Sequence, residues 1–199
     1  AVHPQPQLLT RLGVPAGKKL LLYSGNMGDK QGLEQVIDAA DALKDQSELF
    51  FLLVGDGSGK KRLMELADQR QLSNVAFAPL QAYEDLPALL ATADVHLVIQ
   101  KRGAADAVLP SKLTNILAVG GNAVITADSD TTLGILCDEN PGIAICVAPE
   151  SVPALIAGVK QALALPHLNK IAQNYAAEYL DKDKILTRFV AEVAGDVVK

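Results

Sequence analysis

VHLVIQKRGAADAVLPSKLTNILAVGGNAVIT, Val95 to Thr126, decides the fold of this chain. It opens on an unbroken apolar run, Val95 to Ile99, of the kind buried on both faces of a parallel sheet. A polar loop, Lys101 to Leu109, leads into Pro110-Ser111, where proline followed by serine marks a helix start. The helix stops near Gly120-Gly121, and Ala123 to Thr126 is the next buried strand. Strand, helix and strand in this order make a βαβ unit, whose strands are parallel and whose crossover is right-handed.

The alternation continues outward in both directions. Upstream, Lys18 to Ser24, Leu49 to Val54 and Val75 to Ala78 have the apolar character of strands. Between them, Leu33, Val36, Ile37, Ala40 and Leu43 fall at helical spacing, as do Leu63, Leu66 and Ala67. Leu86, Leu89 and Leu90 do the same within Tyr83 to Thr92. Downstream, Ile143 to Val147 is a sixth strand, followed by helices over Val152 to Leu165, Leu168 to Tyr179 and Lys184 to about Val193. The pattern predicts an α/β fold, a Rossmann-like doubly wound parallel sheet of about six strands. One folded unit is expected over 18–180, with a C-terminal helix in 181–199. Residues 1–17, with Pro4, Pro6 and Pro15, suit an inter-domain linker around a short amphipathic turn at Leu8 to Leu12.

A chain of 199 residues that is 49% hydrophobic can bury a sizeable core. Aromatic residues make up only 4%, with no Trp, which disfavours stacking on single-stranded nucleic acid. The net charge of -5 argues against a broad phosphate-backbone footprint while allowing a small basic site, so no nucleic-acid partner is expected. Cys137 and Cys146, nine residues apart with no histidine cluster beside them, are expected to be reduced thiols of a cytoplasmic protein. The opening residues carry neither the basic nor the apolar run of a secretory leader, and no apolar stretch has membrane-spanning length.

The chemistry concentrates where the first and fourth strands end. Ser111 is expected to cap a helix whose first-turn N–H groups and positive dipole end face the loop, and Lys112 adds a full charge there. Together they suit a phosphate-bearing ligand; the alternative is an ordinary strand-to-helix connection with a solvated lysine. Gly25 and Gly28 permit close backbone approach after the first strand. Asp106 is the carboxylate placed to meet a ligand, and Lys101 and Arg102 are cations on the same loop. Gly55-x-Gly57 lacks the third glycine of a dinucleotide fingerprint, since residue 60 is Lys. The same turn is one residue short of a P-loop, and Lys61 stands where Ser or Thr would be needed. His96 sits inside a strand and is expected to be a satisfied core histidine.

LLYSGNMGDKQGLEQVIDAADAL, FFLLVGDGSGKKRLMELADQRQLSNVAFAPL, YEDLPALLATADVHLVI and LPSKLTNILAVGGNAVITA, in that order, resemble the C-terminal half of a GT-B, family-4-type retaining glycosyltransferase. The resemblance covers most of the chain, from about Lys18 to Tyr179. It implies one half of a GT-B fold that binds a nucleotide-sugar donor, the other half being an N-terminal domain that brings the acceptor. The implied function is transfer of fucose from GDP-fucose to a lipid-linked saccharide in colanic-acid-type exopolysaccharide synthesis. The implied location is the cytoplasm, with peripheral contact at the membrane's inner face. This piece alone is expected to be inactive.

Position by position, the family's glycine turn falls on Gly25 to Gly28 and would face the donor diphosphate. Asn26 stands at its Arg position and Gln31 at its Lys position, with Lys30 one residue earlier. The family's paired glutamates fall on Val108 and Asn115; Asn115 can still bond a ribose hydroxyl. Pro79-Leu80 match the segment that lines the base. Ser111-Lys112 matches a related Pro-Ser-Lys subgroup, so Lys112 is expected to replace the missing diphosphate cation. Lys112 and Asp106 are the expected catalytic residues, with no metal and no cofactor beyond the donor. The rival classes are a nicotinamide-dependent oxidoreductase and a non-catalytic nucleotide-binding regulatory domain.

Overall fold

The structure, a computed structural model, describes residues 6–104 and 109–180. The strands are β1 (Lys19–Ser24), β2 (Leu49–Val54), β3 (Val75–Ala78), β4 (Val95–Val98), β5 (Ala123–Thr126) and β6 (Ile145–Val147). They form one parallel sheet in the order β3-β2-β1-β4-β5-β6. The chain builds outward from β1 to β3, then returns to the other side of β1 and builds outward to β6. The reversal between β1 and β4 is where the connections diverge, leaving a crevice at the carboxyl ends of the strands.

The helices are α1 (Pro6–Arg11), α2 (Glu34–Ala42), α3 (Lys60–Gln69), α4 (Leu86–Thr92), α5 (Ser111–Ala118), α6 (Thr132–Glu139), α7 (Val152–Leu163) and α8 (Lys170–Tyr175), which runs into a π turn at Ala176–Leu180. Strands that are apolar at every position must be covered on both faces. Leu21, Tyr23, Phe51, Leu53 and Leu97 pack under α2, α3 and α7 through Val36, Ile37, Leu63, Leu155 and Val159. Leu20, Leu22, Phe50, Leu52 and Ile125 pack on the other face against α1, α4, α5, α6 and α8. Burying each Leu or Phe contributes on the order of 1.5–3 kcal/mol, so the two layers supply most of the favourable free energy.

Several local expectations shift. Helix α1 lies inside the stretch read as a linker: Pro6 takes its first position, where a missing N–H costs nothing, and Leu8 and Val14 are buried. Helix α6 was not expected from the sequence. It is short and contains Gly134, a poor helix former, but Thr131 caps it by accepting from the Gly134 N–H at 3.2 Å. Gly134 is required by packing, since a Cβ there would lie 2.2 Å from the Asp128 carbonyl oxygen. Strand β6 begins at Ile145 and α4 at Leu86, each later than the apolar pattern suggested. The helix expected over Lys184 to Val193, and with it the whole segment 181–199, lies outside the described residues.

His96, in the middle of β4, pairs with Leu22 and Ala123 and is 1% exposed. Its expectation as a satisfied residue is corrected: Nε2 has no hydrogen-bond partner among the described residues. The ring lies against the backbone of Gly121, where a Cβ would come within 2.6 Å of Nε2. Burial holds the imidazole pKa down to about 4, against about 6.5 in an unfolded chain. The unfolded state therefore takes up a proton where the folded state does not, and stability falls as pH drops from about 6.5 toward 4. The loss across that window should be on the order of 3 kcal/mol. Urea unfolding midpoints followed from neutral pH to about pH 4 should decline less steeply in His96→Gln than in the wild type.

Candidate functional site

Two glycine turns meet at the carboxyl ends of β1 and β2. The register Ser24↔Val54 sets Gly25 beside Gly55. Gly25 N–H donates to the Val54 carbonyl at 2.9 Å, Met27 N–H to Asp56 at 2.8 Å, and Gly59 N–H to Met27 at 2.8 Å. Contact is main chain on main chain. A Cβ on Gly55 would lie 1.9 Å from the Gly25 oxygen, and one on Gly57 would lie 2.7 Å from the Met27 carbonyl carbon. Both have positive φ, +149° and +152°, which side chains resist. Lys60 Nζ donates to the Gly55 oxygen at 2.9 Å, so this lysine is spent inside the second turn. The second turn is thus a buttress for the first. The amides of Gly25 and Met27 point into that buttress, and what Gly25 offers a ligand is the space left by its missing side chain.

Lys112 stands beside that space. Its Nζ lies 4.6 Å from the centroid of the Tyr23 ring and donates to the Tyr23 hydroxyl oxygen at 3.3 Å. Tyr23 in turn donates to the Asn26 carbonyl, tying the lysine to the turn. Burial pushes the Tyr23 phenol well above its ordinary pKa, so it stays neutral and serves as a fixed dipole beside the ammonium. A Cβ on Gly25 would sit 3.3 Å from Nζ and block the approach of a ligand oxygen.

Ser111 is placed differently from expectation. Pro110 takes the N-cap position without a side-chain cap, and Ser111 is the first helical residue. No capping bond is needed from a hydroxyl that lines the crevice. The Leu113 N–H is satisfied by the Pro110 carbonyl at 2.9 Å, while the earliest amides of α5 have no carbonyl within the helix to meet. A cavity of about 170 Å³ opens here, lined by Ser24, His96, Ser111, Lys112 and Asn115, with Leu90 as part of its apolar wall. A smaller hollow of about 90 Å³ is also lined by Lys112, together with Lys30, Gln31 and Gln100. The Oε1 of Gln31 is buried there without a partner among the described residues. Lys112 is therefore shared by two recesses.

The structure gathers Gly25, Asn26, Gly28, Lys30, Gln31, Ser111, Lys112 and Asn115 around this point. Lys101 joins them through its N–H, which donates to the Lys30 carbonyl at 3.0 Å, and its side chain packs on Gly32. Arg102 turns away. Its Nε donates to Asp128 at 3.1 Å and its N–H to Glu150 at 3.3 Å, fastening the loop after β4 to the ends of β5 and β6. Pro79 and Leu80 follow β3 on the surface, Leu80 being 65% exposed, and they do not line the cavity. Asp106 and Val108 lie outside the described residues. Tyr23, Ser24 and His96 were not singled out as site residues from the sequence, although a tyrosine at the end of an otherwise aliphatic strand was a usable signal. Asp128 and Asp130 stand two apart, a spacing that can share a cation, but the Asp128 carboxylate is held by Arg102 and its carbonyl accepts from Thr131.

The sequence profile of the family described as glycosyl transferases group 1 matches residues 5–179. WcaI of Escherichia coli (strain K12), which carries the name of a colanic acid biosynthesis glycosyl transferase, is 60% identical over 188 residues, 94% of this chain and 46% of that protein. Among solved structures, a glycosyltransferase from Rickettsia africae ESF-5 superposes with a TM-score of 0.79 at 18% identity, covering 97% of this chain and 51% of that one. Anabaena Alr3699/HepE in complex with UDP gives 0.74 at 19% identity, covering 98% and 54%. WaaG, a glycosyltransferase involved in lipopolysaccharide biosynthesis, gives 0.68 at 21% identity, covering 90% and 47%. These structural likenesses establish the fold. The chain spans about half the length of each of these proteins.

The buttress has a direct test. Gly55→Ala places a methyl group against the Gly25 carbonyl and should destabilise the fold by about 1–3 kcal/mol from overpacking alone. Gly17→Ala is the control, because Gly17 also has positive φ, +77°, yet faces open space. Urea unfolding should show a clearly larger loss for Gly55→Ala; equal losses would mean that the two turns do not support one another.

Proposed function

The chain belongs to the group 1 glycosyl transferases, and on that footing we propose that it is the donor-binding half of a retaining enzyme of colanic-acid-type exopolysaccharide synthesis. The donor is a nucleoside diphosphate sugar, GDP-fucose, and the acceptor a lipid-linked saccharide presented at the inner face of the cytoplasmic membrane. The likeness to WcaI supports the pathway, and the UDP held by HepE supports a nucleoside diphosphate in a fold of this kind. No described helix is long and apolar enough to cross a membrane. A further, N-terminal domain completes the cleft and brings the acceptor.

The observation that carries this proposal is the position of Lys112: its ammonium is held over the bare α-carbon of Gly25, at the crevice where the sheet's winding reverses. When the bond between sugar and diphosphate breaks, negative charge grows on the leaving oxygens. A fixed cation and the positive dipole end of α5 stabilise that charge more than they stabilise the intact donor, and this difference lowers the barrier. Lys112 takes the part that Asn26 and Gln31 cannot play, since neither is cationic, and Lys30 adds charge at the rim of the smaller hollow. Asn115, one helical turn from Ser111 and on the cavity wall, accepts the ribose hydroxyl. Asp106, the carboxylate of the loop after β4, is assigned to the sugar.

Calorimetric titration with GDP, UDP, their nucleosides and NAD checks the assignment. GDP should bind, and Lys112→Ala should weaken GDP by about 1.5–3 kcal/mol, the worth of a charge-assisted hydrogen bond, while leaving guanosine nearly unchanged. Equal loss for GDP and guanosine would remove Lys112 from the diphosphate site, and binding of NAD alone would favour an oxidoreductase.

A further inference from the structure

The smaller hollow lined by Lys112 is built from three elements that meet where the sheet's winding reverses. Lys30 and Gln31 come from the turn after β1, Val98, Ile99 and Gln100 from the end of β4, and Lys112 from the start of α5. Main-chain bonds hold these walls in place. Lys101 N–H donates to the Lys30 carbonyl at 3.0 Å, fastening the loop after β4 to the first turn. Gln100 is pinned to the neighbouring strand: its N–H donates to the Thr126 hydroxyl at 2.8 Å, and its carbonyl accepts from that hydroxyl at 2.9 Å. Within this fixed frame, Gln31 Oε1 is buried with no hydrogen-bond partner among the described residues. The bare α-carbon of Gly28 lies alongside, since a Cβ there would come within 3.3 Å of that oxygen. A buried acceptor left unmet costs free energy, and a ligand that donates to it recovers that cost.

We infer that Gln31 is a specificity-determining residue whose side-chain carbonyl accepts a hydrogen bond from a hydroxyl of the donor's sugar, an inference that rests on the donor-binding reading above. The chemistry of the atom decides which part of the donor it meets. Diphosphate oxygens are acceptors, and an acceptor gains nothing from facing Oε1, so Gln31 does not hold the diphosphate although it stands at the family's Lys position. A sugar hydroxyl both donates and accepts. It can donate to Oε1 while accepting from the ammonium of Lys30, which lines the same hollow. With the ribose at Asn115 on the wall of the larger cavity and the diphosphate at Lys112, which lines both recesses, the sugar is the part of the donor left for the smaller one. Val98 and Ile99 supply an apolar wall for the C–H groups of the ring. A site whose buried polar atom awaits a hydroxyl discriminates against a ligand that lacks it.

Calorimetric titration of the chain with GDP and with GDP-fucose, repeated for Gln31→Met and Lys112→Ala, tests this role. Methionine keeps the reach of the side chain and removes the acceptor. Gln31→Met should weaken GDP-fucose about three- to tenfold, the worth of one neutral hydrogen bond, and change GDP less than about twofold. The retained GDP affinity shows that the fold and the diphosphate site are intact. Lys112→Ala should weaken both ligands. Equal weakening of GDP and GDP-fucose by Gln31→Met would place Gln31 at the diphosphate and overturn the inference while the proposed function stands. So would an unchanged GDP-fucose affinity, the result expected if a bound water meets Oε1. Absence of GDP binding in the wild type would instead overturn the donor-binding reading, and the inference with it.

Discussion

The close approach of Gly25 and Gly55 is the constraint on which the site depends. Parallel pairing of β1 with β2 in register up to Ser24 and Val54 brings the two turns side by side, with no room for a side chain between them. Main-chain hydrogen bonds then fix the first turn from below, through Val54, Asp56 and Gly59. A turn fixed in this way can hold the Asn26 carbonyl still for Tyr23, and Tyr23 can hold Lys112. These links are part-buried, and they position the ammonium before any ligand arrives. Preorganisation of this kind matters because a charge that has to be reoriented during the reaction stabilises it less.

The electrostatics follow from that chain of contacts. Placing a cation over a tyrosine ring and beside a neutral phenol costs little desolvation, since the ring face and the hydroxyl oxygen both carry partial negative charge. Lys112 lines two recesses. One is lined by Leu22, Leu90, Ser111 and Asn115, and the other by Lys30, Gln31 and Gln100 together with Val98, Ile99 and Pro110. Arg102, by contrast, serves the scaffold: its pairing with Asp128 and its backbone bond to Glu150 bind the loop after β4 to the neighbouring strand ends.

Much of the architecture was legible in the sequence because the physics is local. Short continuous apolar runs bounded by turn residues, such as Leu49 to Val54 before Gly55, suit strands covered on both sides, and helical stripes between them favour the parallel order. Lys112 was legible for the same reason, as a cation at the start of a helix that follows a strand. What was not legible depends on contacts between distant residues. The role of Gly55 to Gly59 is set by sheet register, and no feature of the turn itself reveals that it supports another turn. Ser111 looked like a cap by residue type, but Pro110 occupies that position. Helix α6 was hidden by its glycine and by its length of eight residues, too short for a periodic stripe to stand out.

The central claim is that a diphosphate sits between the first turn and the start of α5, beside Lys112. Titrating GDP into the isotopically labelled chain and following amide resonances measures this residue by residue. The account predicts that the largest shifts fall on Asn26, Gly28, Ser111 and Lys112, that Gly25 and Met27 move less because their N–H groups are engaged with β2 and its turn, and that guanosine leaves Lys112 largely unmoved. Shifts confined to other parts of the surface, or a Lys112 amide that responds equally to guanosine and GDP, would contradict it.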